Sequence, residues 1–183
     1  MKYKQLSAGE QPITLAEARL HLRSINTDSD AEIMQMVAAS TRAAEHYTGR
    51  SLALNTWALK LDAFPAGRIQ LNHPPIVSIT SISYIDTGGS TIVLSPSLYT
   101  LDSHSEPGYV RPVFGAAWPA TRATENAVTI TYTAGYGIDC HDDAKHWIKA
   151  HLGTLDLYRE DIAEGTTSSI GFDRLLSRLR LYQ

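Results

Sequence analysis

Ile85-Asp86-Thr87-Gly88 is the stretch of this chain whose residue types come nearest to catalysis. An Asp-Thr-Gly between apolar strands serves hydrolysis when two copies bring their carboxylates close enough to share one proton. One copy is present, so that chemistry would require a dimeric aspartic-type hydrolase. The same residues also read as a hairpin turn, opened by Asp86 and relaxed by Gly88-Gly89. Cys140-His141-Asp142-Asp143, followed by His146 and His151, has the residue types of a metal or nucleophile site. Its spacing argues against one. Histidines five apart rotate around a helix, whereas a helical zinc site wants three or four. Two aspartates at a helix start are explained by the N-terminal dipole. Gly135-Tyr136-Gly137 lacks the third glycine of a nucleotide fingerprint, and no Gly-x-Ser-x-Gly, His-Glu-x-x-His or P-loop occurs. Trp57, Trp118 and Tyr132 could stack on sugars in a carbohydrate- or peptide-binding module, or fill a β core. The residues point to no catalytic group, no cofactor and no metal.

The C-terminal stretch offers a different activity, docking. Phe172, Leu175, Leu176 and Leu179 form an apolar stripe, with Arg174, Arg178 and Arg180 on its polar side. A helix of about ten residues is marginal alone, so the leucines must bury somewhere. They can pack on their own domain or enter a partner's groove. The polar segment 164–169 reads as a linker that detaches this tail.

Helices and strands must position these groups. Thr14 and Glu17 stand at capping-box spacing before Leu15, Ala18 and Leu22, and Ser29 with Glu32 repeats the pattern before Ile33, Met36, Val37, Ala44 and Tyr47. Helices are predicted at 14–23 and 30–48, with Gly49 as the stop. From Leu54 the period falls to two. Trp57, Leu59 and Leu61 alternate with Thr56, Ala58 and Lys60, and Val128, Ile130 and Tyr132 alternate with Thr129, Thr131 and Thr133. Between Val77-x-Ile79 and Ile82-x-Tyr84 the phase slips, which predicts a bulge at Thr80-Ser81. Helix returns near Asp142, with Ala144, Trp147, Ile148, His151, Leu152, Leu155 and Tyr158 on one stripe. The expected fold is α+β: a helical bundle, an inserted antiparallel β sandwich or barrel-like module, and an amphipathic tail helix. The expected divisions are N-terminal helices at 1–53, the β module at 54–137, a third core helix at 138–163, and linker with docking helix at 164–183.

Composition agrees with a mainly structural role. Of the 35 charged residues, 12 lie in residues 1–50, 9 in 51–135 and 14 in 136–183, so the long β segment is the least charged. A net charge of −3 argues against an autonomous, tight DNA binder. The single cysteine excludes an internal disulfide. The first twelve residues lack the apolar run of a signal peptide, and no 18-residue apolar stretch predicts a membrane span.

One family resemblance emerges from these residues. Ala44-Glu45-His46-Tyr47-Thr48-Gly49-Arg50, then Trp57, Leu59, Leu61, Asp62 and Phe64-Pro65, resembles the head–tail connector proteins of tailed phages, the gp6-like adaptors with a β insertion. So do Pro12-Ile13-Thr14-Leu15-Ala16-Glu17-Ala18, Tyr84-Ile85-Asp86, Trp118-Pro119 and Ile130-Thr131-Tyr132-Thr133-Ala134-Gly135-Tyr136-Gly137. The chain departs from the family at His141-Asp142, where a Val-Pro pair is usual, and at Ser177-Arg178-Leu179-Arg180, where a Pro-Tyr-Arg-like end is common. The resemblance implies a ring, typically dodecameric, beneath the portal protein of a filled capsid. Such a ring extends the DNA channel without sequence-specific binding and receives stopper or tail proteins. It implies a virion location after assembly in the host cytoplasm, and no enzymatic or membrane role. The linker, the stripe and its arginines make residues 170–182 the expected portal-docking element, and the resemblance, through the family's use of C-terminal segments, agrees.

Overall fold

The computed structural model describes residues 2–24, 27, 29–158 and 170–181, leaving aside the side chains of 158 and 170–173. The chain divides into two compact units, Met1–Gly9 with Leu54–Gly135, and Glu10–Ala53 with Tyr136–Gln183.

The first unit is built on strands β1 (Lys2–Glu10), β2 (Leu54–Leu61), β3 (Ile69–Gln70), β4 (Ile76–Ile85), β5 (Thr91–Val93), β6 (Tyr99–Asp102), β7 (Tyr109–Pro112) and β8 (Val128–Ala134). They form a five-stranded sheet, ordered β1-β2-β8-β4-β5, and a three-stranded sheet, ordered β3-β7-β6. Strand β8 is central because its alternation is the cleanest. Val128, Ile130, Tyr132 and Ala134 are all buried, opposite Leu61, Leu59, Trp57 and Asn55 of β2.

On its other side β8 meets β4 in an unusual register. Ile76, Ile79 and Ile82 are three apart, yet they pair with Ala134, Tyr132 and Ile130, which are two apart. An extra residue enters β4 after Ile76 and again after Ile79, so two bulges convert a spacing of three into one shared face. The phase slip predicted at Thr80-Ser81 is the second of these bulges. The smaller sheet adds Ile69 and Val110 to the same core, which Leu71 also enters. Neither sheet closes on itself, so the barrel-like expectation is corrected to two open antiparallel sheets.

Strand β1 precedes both helices expected in this region, at 14–23 and 30–48, and the sequence reading did not include it. Apart from half-buried Tyr3, every residue of β1 is exposed, so no apolar alternation announces it. Main-chain pairing beside β2 holds it instead. At Gly9 the approach is so close that a Cβ would fall 1.7 Å from the Leu54 carbonyl oxygen.

The second unit contains α1 (Leu15–Leu22), α2 (Asp30–Thr48), α3 (Asp142–Tyr158) and α4 (Ile170–Ser177). Thr14 caps α1 reciprocally: its Oγ1 accepts from Glu17 N at 3.2 Å, and Glu17 Oε2 accepts from Thr14 N at 2.9 Å. The second predicted capping box does not form, because Ser29 makes no side-chain cap. The first residue of α2, Asp30, instead accepts both Arg19 Nε at 2.6 Å and Arg19 Nη2 at 2.5 Å, a bidentate pair that ties α1 to α2. Ile13, Ala18, Ile33, Val37, Ala44, Leu52, Ala144, Ile148 and Leu152 form the core, and α4 packs against both α2 and α3.

Candidate functional site

The C-terminal end of α2 and the tail of the chain form one structure. Gly49 ends the helix at φ 73°, and its N–H returns to the Glu45 carbonyl at 2.8 Å. This left-handed position is open to glycine and costly for a side chain with a Cβ. It also lets the tail close in: the Leu181 Cβ would stand 3.7 Å from a Cβ at position 49, and Leu181 N donates to Thr48 O at 2.8 Å. Arg50 Nε donates to Leu179 O at 2.6 Å, and Arg50 Nη1 reaches the Tyr136 hydroxyl at 3.4 Å. The Arg180 guanidinium lies 5.5 Å from the centre of the Tyr47 ring. The Tyr47-Thr48-Gly49-Arg50 run is therefore a clamp on residues 179–181.

Glu45 supports the clamp from below. Its Oε1 accepts Leu52 N at 2.8 Å and Ala53 N at 3.0 Å. Burial pushes its carboxyl above the ordinary pKa, and the two amides pull partly the other way.

The tail residues expected to dock on a partner separate into two groups. Leu176 is fully buried in the core of its own unit, with Leu175 and Leu179 half-buried against it. Of the two readings of the stripe, Leu176 follows packing on its own unit, and its burial contributes roughly 1.5–3 kcal/mol to holding α4 in place. Arg174, Arg178 and Arg180 remain exposed. The Phe172 side chain and the linker 164–169 lie outside the described residues.

The aromatic candidates of the β unit are engaged internally. Trp57 stacks on His73 with ring centres 3.9 Å apart, and burial lowers the pKa of that histidine. Phe64 stacks on Trp118 at 4.8 Å and meets Tyr84 edge-on at 5.7 Å. Trp118 Nε1 donates to Gly67 O at 2.7 Å, with the half-buried Pro65 and Pro119 nearby in sequence. Tyr132 is buried and donates to Asn72 O at 3.0 Å, and burial raises its pKa. Gly135 leaves β8 at φ 121°.

Asp86 works as the turn residue. Its Oδ1 accepts Ser90 N at 2.8 Å, and its backbone carbonyl accepts Gly89 N at 3.0 Å. Cys140 is buried, and burial raises its thiol to about 11, too high for a ready thiolate. His141 meets Tyr136 edge-on, whereas His151 stacks on Trp147 and bonds Ser40 Oγ at 3.0 Å. Among the described residues no three His, Cys, Asp or Glu side chains converge as metal ligands, and no helix is long and apolar enough to cross a membrane.

Sequence reasoning missed two exposed features of the β unit. Phe114 stands fully exposed at a turn within residues 112–121, which carry no charge. Across the smaller sheet, Arg68, Gln70, Ser105, Glu106, Pro107 and Tyr109 line a cleft of about 230 Å³. An uncharged ten-residue run was legible as a signal for the first. The second depends on cross-strand register and left no mark in the sequence.

No family model matches the sequence, and no curated protein matches it. Solved structures do. A chain from the neck of an empty gene transfer agent (GTA) particle, computed with C6 symmetry, superposes with a TM-score of 0.80 at 23% identity, covering 100% of this chain and 97% of that one. A chain of the native GTA virion matches with the same TM-score and coverage at 21% identity. So does a chain from the native GTA neck with C12 symmetry, at 22% identity. The protein has the fold of these particle chains. Both units and the tail lie within the matched length.

Proposed function

We propose that this protein is a structural head–tail adaptor of a tailed phage, a prophage or a phage-derived particle. Copies form a ring beneath the portal, extend the DNA channel and present a surface to stopper or tail proteins. The observation that carries this reading is the end-to-end match to GTA neck and virion chains. The sequence resemblance to phage connectors supports it independently. The C12 symmetry of one neighbour's neck agrees with a dodecamer. A head-to-tail contact closes into such a ring when its rotation divides the circle. A net charge of −3 suits a channel wall that lets phosphates slide past.

Within this reading α4 faces the portal. Leu175, Leu176 and Leu179 seat the helix on its own unit, and the exposed Arg174, Arg178 and Arg180 offer charge for orientation and encounter. Multiplicity in the ring then supplies the affinity that one short helix lacks. No observation favours the carbohydrate-binding or hydrolase readings, since Trp57, Trp118, Tyr132 and Asp86 all serve the fold.

The test is deletion of the gene in its parent particle, followed by cryo-electron microscopy. The expected result is DNA-filled heads that lack tails, with a ring of density beneath the portal restored by complementation. Tailed, infectious particles formed without the protein would overturn the proposal.

A further inference from the structure

We infer that the cleft on the three-stranded sheet is a docking site for a carboxylate side chain, carried by an acidic segment of a partner protein. The inference concerns the β unit alone and stands apart from the adaptor reading.

Arg68 supplies the positive charge of the cleft. Its guanidinium lies 4.8 Å from the centre of the Tyr109 ring, yet among the described residues it has no hydrogen bond or ion pair. A stacked guanidinium keeps its in-plane N–H donors available, and that planar fork matches a carboxylate in bidentate fashion. Stacking thus orients the group while leaving its donors unspent.

The ring beneath it is fixed. Tyr109 pairs with Gln70 on one side and Asp102 on the other. The Tyr109 side chain hydrogen-bonds the Asp102 carboxylate, which also accepts His104 N at 2.9 Å, Ser105 N at 3.1 Å and Ser105 Oγ at 2.9 Å. These bonds, led by that from Tyr109, hold the Asp102 carboxyl down at about 2. Gly108 packs flush, since a Cβ there would meet Ile76 Cγ1 at 2.8 Å and Asp102 O at 3.0 Å. The cleft is therefore preformed, and binding would require little ordering of the protein.

Size and charge select the ligand. A cleft of about 230 Å³ takes one side chain with its adjoining backbone. Gln70 on its wall donates from Nε2 to Asn72 Oδ1 at 3.4 Å, and the second N–H of that amide is a further donor within the same cleft. Glu106 on the rim places a negative charge beside Arg68, which disfavours a polyanion such as a nucleic-acid backbone more than a ligand carrying one carboxylate.

Amide-resolved NMR on the full chain tests this, with N-acetylglutamate N-methylamide as the probe and its glutamine counterpart as control. Saturable shifts are expected at the Ser105, Gly108 and Tyr109 amides, with dissociation on the order of millimolar for one such contact. The glutamine compound should bind at least about fivefold more weakly, as loss of a charge-assisted pair requires. Arg68→Gln should abolish the shifts, and Arg111→Gln, on the neighbouring strand, should leave them. Tyr109→Leu should weaken binding by freeing the guanidinium. Equal binding of the two compounds, or equal loss in Arg111→Gln, would overturn the inference. So would a short oligothymidylate that shifts the same amides at lower concentration, which would make the cleft a nucleic-acid contact.

Discussion

Arg50 Nε donates to the Leu179 carbonyl at 2.6 Å across 129 residues of sequence. A charged donor thus joins the end of the second helix to the end of the chain, and α4 becomes part of the helical core instead of an appendage. A chain ending at residue 166 should therefore lose stability. Leu176→Ala should cost about 2–5 kcal/mol, the range for emptying a buried leucine site. Arg50→Ala should cost about 1.5–3 kcal/mol, as expected for a bond from a charged group. Urea denaturation of the three variants checks both values. Melting unchanged in the truncated chain would show that the tail is a free docking arm.

Gly49 should resist substitution. Gly49→Val is expected to cost more than about 1 kcal/mol, because a β-branched residue tolerates positive φ badly. Gly49→Ala should cost less, because the 3.7 Å approach of Leu181 leaves room for a methyl group and only the backbone conformation is strained. Thermal melting of both variants decides the matter, and melting unchanged in Gly49→Val would show that the helix does not depend on this left-handed stop.

Glu45 predicts a pH dependence with a definite sign. Burial raises its folded-state pKa above the ordinary carboxylate value. The folded chain then holds this proton more tightly than the unfolded chain does. Stability from Glu45 is full below the unfolded pKa and is lost as pH rises through the folded one. Glu45→Gln keeps an acceptor for Leu52 N and Ala53 N but cannot ionise. The variant should show a flatter stability profile across weakly acidic pH and should match or exceed the parent at neutral pH. Parallel profiles for the two proteins would remove Glu45 as the source.

Asp86→Asn should change stability by less than about 1 kcal/mol, since Asn can present the same oxygen to Ser90 N. Asp86→Ala should cost more, because that amide then loses its acceptor. Particle assembly should survive Asp86→Asn. Assembly lost in a folded Asp86→Asn variant would give this carboxylate a role beyond the turn.

Legibility in the sequence followed the kind of force at each position. Thr14, Glu17 and Gly49 act through neighbours within a few residues, so they announced α1 and the end of α2. Val128, Ile130 and Tyr132 alternate because one face of β8 is buried, and that too was visible. Strand β1 buries almost nothing, and pairing by main chain alone leaves no pattern in side chains. The leucines of α4 showed that an apolar stripe exists, but a stripe looks the same against its own core and against a partner's groove. The clamp was half legible: Tyr47 to Arg50 stood out as a motif, while their partners at 179–181 were set by tertiary folding. Arg68, Tyr109 and Asp102 meet only through the β3-β7-β6 register, which no local spacing encodes.

The placement of β8 has a consequence for biosynthesis. Strands β2 and β4 emerge from the ribosome well before it, and both reserve an edge for it. Until Val128–Ala134 has been translated, the Leu59 and Ile82 sides of those strands have no mate, and each exposes main-chain donors beside apolar side chains. Such edges are the features that recruit other chains. A nascent polypeptide stalled before residue 128 is thus the form most prone to aggregate. Completion of that one strand removes the hazard from both neighbours at once.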